Sequence, residues 1–294
     1  MAIRSLEALE KACENKNIYD VILEDDCMER GVTREESEKK MADLYAAIQH
    51  SAQNYTPTLR SASGMAGGDG AKMRSYVKAG KTICGDELGQ VIAQALEMGE
   101  NNACMKCIVA APTAGSCGVM PAVLLPYQKR MGLSDEEMVR ALYIAGAIGQ
   151  AVATKASIAG AAGGCQYEIG TASAMAAAAL CYLGGGDAEA ICHAAALAIK
   201  SLLGLVCDPI AGLVEVPCIK RNASGAMVAM CCADMALAGV VGHIPADEVI
   251  DAMAEVGNAM SKDLRETGIG GLAGTPTGRA ICEIVTMDNG EEED

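Results

Sequence analysis

The sequence predicts an all-α protein, a helical domain packed around one central, buried, alanine-rich helix. Three observations carry that prediction. Apolar–polar alternation, the mark of a half-buried strand, is almost absent along the 294 residues. Helix-length stretches recur instead between Gly, Pro and Ser/Thr/Asp punctuation. Apolar residues make up 51% of the chain, yet there is no Phe or Trp and only eight Tyr. Ala, Met, Leu, Ile and Val with 33 Gly suit closely packed helices better than an aromatic-filled sandwich.

In order along the chain, residues 1 to about 55 read as charged peripheral helices. Thr33-Arg-Glu-Glu36 is a Thr-x-x-Glu capping box opening an amphipathic helix to about Ser51. From Asn54 to Gly80 the character changes, through Ser61-Ala-Ser63-Gly64-Met-Ala-Gly-Gly-Asp69-Gly-Ala-Lys72. A helix is expected over Asp86–Gly99 and a further short one over Asn101–Ala110, ending at Ala111-Pro112. Pro112 to Gly118 reads as a loop, and Val119–Met131 as a helix with Pro121 in its first turn. Ser134-Asp-Glu-Glu137 is a second capping box, opening a helix to about Thr154. After a Gly160–Gly164 loop comes the Ala-rich helix, about Glu168 to Leu183, apolar on every side and therefore buried. Gly184-Gly-Gly-Asp187 ends it and caps the next helix, to about Leu203. A Cys207–Cys218 loop, a helix over Ala223–Gly239, a helix from Pro245 to about Met260 and a loop-rich Thr267–Gly278 follow. No internal repeat is evident, and one domain spanning 1–294 is expected.

The charge narrows the function. A net charge of −15 argues against nucleic acid or an anionic membrane as a partner, because phosphates are bound by clustered Lys and Arg. Much of it lies in the N-terminal region and in Glu291-Glu-Glu-Asp294, where it serves solubility. Membrane spans are not expected either. The uncharged run from Cys107 to Gln128 is interrupted by Pro112, Pro121 and Pro126, and Ile169–Gly186 is rich in Ala and Gly. Fourteen cysteines without an apolar leader in Met1-Ala-Ile-Arg-Ser-Leu-Glu point to reduced thiols in a cytoplasmic protein.

Cys104-x-x-Cys107 is the most conspicuous pattern, but no second CxxC or nearby His completes a zinc site. It reads as two small residues on an apolar helix. Cys165, Cys207 and Cys218 have loop-forming neighbours: Gly163-Gly164, Asp208-Pro209 and Pro217. Three such thiolates suit a [4Fe–4S] cluster with one iron open for Lewis-acid chemistry. With fourteen cysteines in the chain, accidental triplets are common, and three structural cysteines explain the spacing as well. Ser63-Gly64-Met-Ala-Gly-Gly-Asp69 and Thr113-Ala-Gly-Ser116-Cys-Gly118 place hydroxyls and N–H groups where a carboxylate would bind. Lys220-Arg221-Asn222 sets two cations directly after Cys218, to bind a carboxylate or to be a solvated helix start. His50, His193 and His243 belong to no triad motif.

Taken together, five segments resemble one family, the alpha chain of iron–sulfur-dependent L-serine dehydratase. They are Ser63–Asp69, Ala111–Pro121, Ala156–Gln166, Gly204–Ala223 with its Val-Pro-Cys218-Ile-Lys-Arg-Asn core, and Leu264–Ala273. The resemblance implies a helical domain holding a [4Fe–4S] cluster through Cys165, Cys207 and Cys218, without pyridoxal phosphate. It implies deamination of L-serine to pyruvate and ammonia, with the open iron polarising the departing hydroxyl. Lys72 and Lys220 become candidates for proton transfer, and Ser61, Ser63, Gly64, Asp69, Thr113, Ser116 and Asn222 for binding the amino-acid substrate. Single-chain relatives carry an extra N-terminal domain, so a separate beta subunit is expected. Some also end in a cysteine that caps the open iron; here the last cysteine, Cys282, lies a dozen residues inside. Thr154-Lys155 stands where Asn-type residues are expected, a difference that bears on substrate preference. A related cluster lyase acting on L-cysteine, and a non-catalytic helical interaction protein with incidental cysteines, are the competing readings.

Overall fold

The computed structural model describes residues 3–290. The acidic run Glu291–Asp294 lies outside them. Within them the chain forms thirteen α-helices and no strand, one isolated bridge between Cys207 and Arg265 aside.

The N-terminal third supplies α1 (Leu6–Ala12), α2 (Ile18–Arg30) and α3 (Arg34–Gln53). Both arms of the expected capping box form at α3: Glu36 N–H donates to Thr33 Oγ1 at 3.2 Å, and Thr33 N–H to the Glu36 carboxylate at 2.8 Å. These helices are charged outside, but Leu6, Leu9, Leu23, Tyr45 and Ile48 face inward and are almost wholly buried. Next come α4 (Asp69–Lys78), α5 (Gly85–Ala103), α6 (Val119–Met131) and α7 (Asp135–Lys155). The Ser134 box opens α7 as expected.

A single helical turn, α8 (Gly160–Gly163), precedes a π-helical turn over Gln166–Gly170, which runs into α9 (Thr171–Leu183). This is the predicted central helix. Every residue from Thr171 to Cys181 is buried. It packs against α6, α7, α10 (Ala188–Leu202) and α11 (Cys218–Leu237). Alanine is what permits so many neighbours, since a small side chain all round lets each partner come close. The approach is close at Gly225 of α11, where a Cβ would meet Ile169 Cγ2 and Ser173 Oγ at 2.8 Å. The chain continues through α12 (Ala246–Ala259) to α13 (Pro276–Gly290). No helix among the described residues is long and apolar enough to cross a membrane.

Several boundaries differ from the sequence reading, each for a local reason. No separate helix forms over Asn101–Ala110. Instead α5 runs to Ala103 and closes in a Schellman motif, with Lys106 N–H on Asn101 O at 2.9 Å and Met105 N–H on Asn102 O at 3.0 Å. Met105 takes the left-handed position, φ 58°, usually given to glycine, so the stop signal is absent from the sequence. Helix α4 was not expected because its start is capped from a distance: Glu100 accepts the Asp69 N–H at 2.6 Å. Helix α13 grows out of the stretch read as loop, with Thr275 Oγ1 accepting the Gly278 N–H ahead of a Pro in the first turn. Most consequential, α11 starts at Cys218, five residues before Ala223, directly after Pro217. That brings Cys218, Lys220, Arg221 and Asn222 onto the opening turns of one helix.

Candidate metal centre

Three backbone devices bring the cysteines together. Cys165 stands at the head of the π-helical turn, after Gly164 with φ 88°, where a Cβ would lie 2.6 Å from Leu205 O. Cys207 is on the one bridged segment: its N–H donates to Leu264 O at 2.9 Å and its carbonyl accepts from Glu266 N–H at 2.7 Å. Gln166 ties these two together. Its N–H donates to Leu205 O and its Oε1 accepts from Gly204 N–H, both at 2.9 Å. Cys218 is the first residue of α11. All three side chains are buried, at 2, 2 and 7% exposure.

The Cys165 and Cys207 thiols share a partner that the sequence reading had not singled out. Each lies 3.9 Å from Glu168 Oε2, and the three donor atoms are all within 4.8 Å of one another. Cys218 stands outside that tight set. Thr113 Oγ1 donates to the other carboxylate oxygen, Glu168 Oε1, at 2.8 Å. Two glycines frame the carboxyl: a Cβ on Gly160 would lie 2.6 Å from Oε2 and 3.0 Å from Cys207 Sγ, and one on Gly115 would lie 3.2 Å from Oε1.

Arg221 is the cation of the centre. It reaches Cys165 Sγ at 3.6 Å, donates to Val206 O at 2.8 Å and pairs with Asp208 at 2.8 Å. The hydrogen bond with Cys207, followed by Arg221, holds the Cys165 thiol below the usual thiol range. The same shared proton pushes Cys207 up, and burial adds to it. Burial pushes Cys218 up to about 12, with Cys165 and Glu168 contributing. Glu168 is also raised, first by burial and then, among other groups, by the Glu266 carboxylate. Three thiols and a carboxyl facing one guanidinium that also serves Asp208 leave negative charge uncompensated once they ionise. An arrangement of that kind is costly in a buried site unless a cation joins it. Soft thiolates suit zinc or iron–sulfur groups. The donor set, the sulfur-facing Arg221 and the glycine clearances therefore fit the cluster that the sequence reading expected.

The remaining candidate residues form a second zone at the same end of α11. Ser61 and Ser63 both donate to Glu215 Oε2, at 2.9 and 2.6 Å, so the Ser61–Asp69 loop is fastened to the Cys207–Cys218 loop. Gly64 turns that loop with φ 74°. Asp69 pairs with both Lys72, at 2.8 Å, and Lys220, at 2.9 Å, and the two lysine side chains are 78% and 49% exposed. Asn222 stands between the zones. Its Oδ1 accepts from Gly118 N–H at 2.8 Å, and its Nδ2 donates to Gly115 O at 2.8 Å and Cys218 O at 2.9 Å. Ser116 is fully buried and satisfies its own loop through Ala111 O and Thr113 O. Lys155 faces away, pairing with Asp247 and Asp251 of α12. Cys104 caps α5 and Cys107 is exposed beyond it, so the two do not share an apolar helix face.

Glu168 had a signal, weak but present. It is the single charged residue between Gln166 and Gly186. Glu215 and Asp208 had none, since their partners are remote in sequence. The fastening role of Asn222 yields a prediction: Asn222→Ala leaves the Gly118 N–H and the Gly115 carbonyl short of a partner, and is expected to destabilise the fold by about 2–4 kcal/mol. Denaturant midpoints check it, and a change under 0.5 kcal/mol would remove Asn222 from the frame of the site.

The family described as serine dehydratase alpha chain matches residues 13–273. The chain is similar to the probable L-serine dehydratase alpha chain of Bacillus subtilis (strain 168), 45% identical over 280 residues, 95% of this chain and 93% of that one. It is similar to the L-serine dehydratase alpha chain of Peptoniphilus asaccharolyticus, 46% identical over 265 residues, 90% and 91% of the two chains. The L-serine dehydratase TdcG of Escherichia coli (strain K12) matches at 46% over 181 residues, 61% of this chain and 40% of that protein. With the first two relatives matched along at least nine-tenths of both partners, this chain belongs to the serine dehydratase alpha chain family.

Proposed function

We propose that the chain is the cluster-bearing subunit of an L-serine dehydratase, converting L-serine to pyruvate and ammonia by loss of water to an aminoacrylate, whose imine form is then hydrolysed with release of ammonia. The observation that carries the reading is the buried Cys165–Cys207 pair with Arg221 on the Cys165 sulfur, and the likewise buried Cys218 three residues before Arg221 on the first turn of α11. When bound there, a [4Fe–4S] group with three thiolate ligands supplies an iron with a free coordination position, a Lewis acid for the departing hydroxyl.

The chain's own residues then have separate duties. Cys165, Cys207 and Cys218 hold the group, and Arg221 offsets part of its charge from beside Cys165. Asn222, Thr113 and Ser116 hold the Thr113–Gly118 loop against the opening of α11. The Ser61–Asp69 loop, with Gly64 at its turn, forms the wall for an amino acid's carboxylate and amino groups. Lys220 is the better placed of the two lysines to act on substrate, being two residues from Cys218 and half-exposed, whereas Lys72 extends into solvent. Neither sits in a pocket that excludes water, so ion pairing with Asp69 is what orients both.

A second chain belongs to this reading. The relatives are named alpha chains, and the segment after Arg265, which docks on Asp208 through the Leu272 N–H, exposes Ile269 at 62%, Leu272 at 43%, Ile284 at 60% and Met287 at 70%. An apolar surface of that kind beside the centre suits a beta subunit that completes the site. The fourteen cysteines are all unpaired, which supports a reducing, cytoplasmic setting.

The test is anaerobic purification with a candidate beta subunit, followed by iron and sulfide analysis and rates on L-serine, L-threonine and L-cysteine. Iron with sulfide and a preference for L-serine is expected. Protein without iron sinks the cluster, and a strong preference for L-cysteine sinks the serine assignment.

A further inference from the structure

Glu168 lies against Cys165 and Cys207, yet the cluster reading gives it no part. It occupies the π-helical turn at the head of an otherwise uncharged helix, half-buried, with its carboxylate turned toward two thiols. Its one firm hydrogen bond, from Thr113, goes to Oε1 and leaves Oε2 facing the two sulfurs at equal distances of 3.9 Å. Among the described residues it forms no ion pair with Lys or Arg; Arg221 is committed to Cys165, Val206 O and Asp208. A π-helical turn widens the helix by one residue, a feature found at functional sites more often than in plain scaffolds. Gly160 and Gly115 bring backbone against both oxygens, so the carboxylate is given a fixed seat.

Both thiols make only long contacts to Oε2, at 3.9 Å, and the two sulfurs and the oxygen lie within 4.8 Å of one another. Soft and hard donors gathered that closely in a buried seat are the arrangement that a metal centre draws together. We propose that Glu168 is a fourth protein donor to the group held by the three cysteines, its Oε2 occupying at rest the coordination position that Cys165, Cys207 and Cys218 leave open. Thr113 is the positioning residue, holding Oε1 so that Oε2 faces inward. The inference rests on the cluster reading above. It adds that the resting centre is closed by this chain's own carboxylate, from within the Cys165-x-x-Glu168 turn.

The experiment compares wild type, Glu168→Gln, Glu168→Ala and, as a remote control, Lys78→Ala, each loaded with ⁵⁷Fe and sulfide under anaerobic conditions. Mössbauer spectra read the ligand environment of the distinct iron, and timed chelation after mild oxidation reads its release. Wild type and the control should show one iron distinct from the other three. In Glu168→Gln the distinct component should shift and that iron should leave at least about tenfold faster, the least that loss of a metal-supporting group produces. Glutamine preserves the volume and the Thr113 contact, so its outcome stands even if the alanine variant folds poorly. Spectra and release rates indistinguishable between wild type and Glu168→Gln, with iron and sulfide present in both, would overturn the inference alone. Absence of iron and sulfide from wild type itself overturns the cluster reading and this inference with it.

Discussion

A Cys207→Ala chain is expected to lose the metal group and at least about 10³-fold of the dehydratase activity, while its helices stay formed. A Lewis-acid metal contributes several kcal/mol to a reaction of this class, and 10³ corresponds to about 4 kcal/mol at 1.36 kcal/mol per decade. The fold should survive because Cys207 is held by its main chain, through Leu264 O and Glu266 N–H, and not by its sulfur. The neighbouring Cys165 thiol, burial and then Glu168 push its own thiol upward. Cys117→Ala is the informative comparison. Cys117 is equally buried, pushed up to about 12 by burial, and its sulfur faces Met98 O at 3.8 Å away from the centre. That variant should keep its iron and sulfide. If both variants load iron equally, the assignment of Cys207 as a ligand is wrong; if neither does, the loss reflects packing.

How much of this was readable in the sequence follows from how far each determinant reaches along the chain. The capping boxes at Thr33 and Ser134 are local, three residues long, and formed as read. The burial of the Ala-rich helix was also legible, because a segment without a polar face has only one place to go. What failed depended on distant partners. Helix α4 starts where Glu100 receives its N–H groups, thirty-one residues away. Helix α5 ends on Met105 in a glycine's conformation, which no propensity scale anticipates. The same division holds in the centre. From spacing, the three cysteines competed with many other triplets, and only the resemblance separated them. Glu168 and Glu215 entered through contacts with Cys207 and Ser61, 39 and 154 residues off, that a linear reading has no means to register. The early start of α11 matters most for the chemistry. It turns Cys218, Lys220, Arg221 and Asn222 from a loop-and-cap sequence into successive positions of one rigid helix, so that Arg221 meets Cys165 while Asn222 reaches the Thr113–Gly118 loop.

Gly160→Ala should separate the demands of the metal from those of the fold. Gly160 opens the single turn of α8 and is buried, and its backbone needs no left-handed conformation. At a position of that kind alanine ordinarily helps, by about 0.4–1 kcal/mol, because it restricts the unfolded chain. Here the added methyl would lie 2.6 Å from Glu168 Oε2 and 3.0 Å from Cys207 Sγ. The carboxylate can yield only by loosening the hydrogen bond from Thr113, a loss of about 1 kcal/mol that offsets the gain, and the methyl then occupies the space between Cys207 and Glu168. The expected result is a chain within about 1 kcal/mol of wild-type stability in its metal-free form that takes up less than about a tenth of the iron, in line with the 10–100-fold losses seen when a metal's supporting shell is disturbed. Gly115→Ala grades the effect: its methyl would meet Glu168 Oε1 at 3.2 Å and Val214 Cγ1 at 3.4 Å, a milder approach from the side away from the sulfurs. Iron content should therefore fall in the order wild type, Gly115→Ala, Gly160→Ala. Full loading of Gly160→Ala would show that the group sits elsewhere than between Cys207 and Glu168. A glycine that the fold can replace and the metal cannot is one kept for the metal.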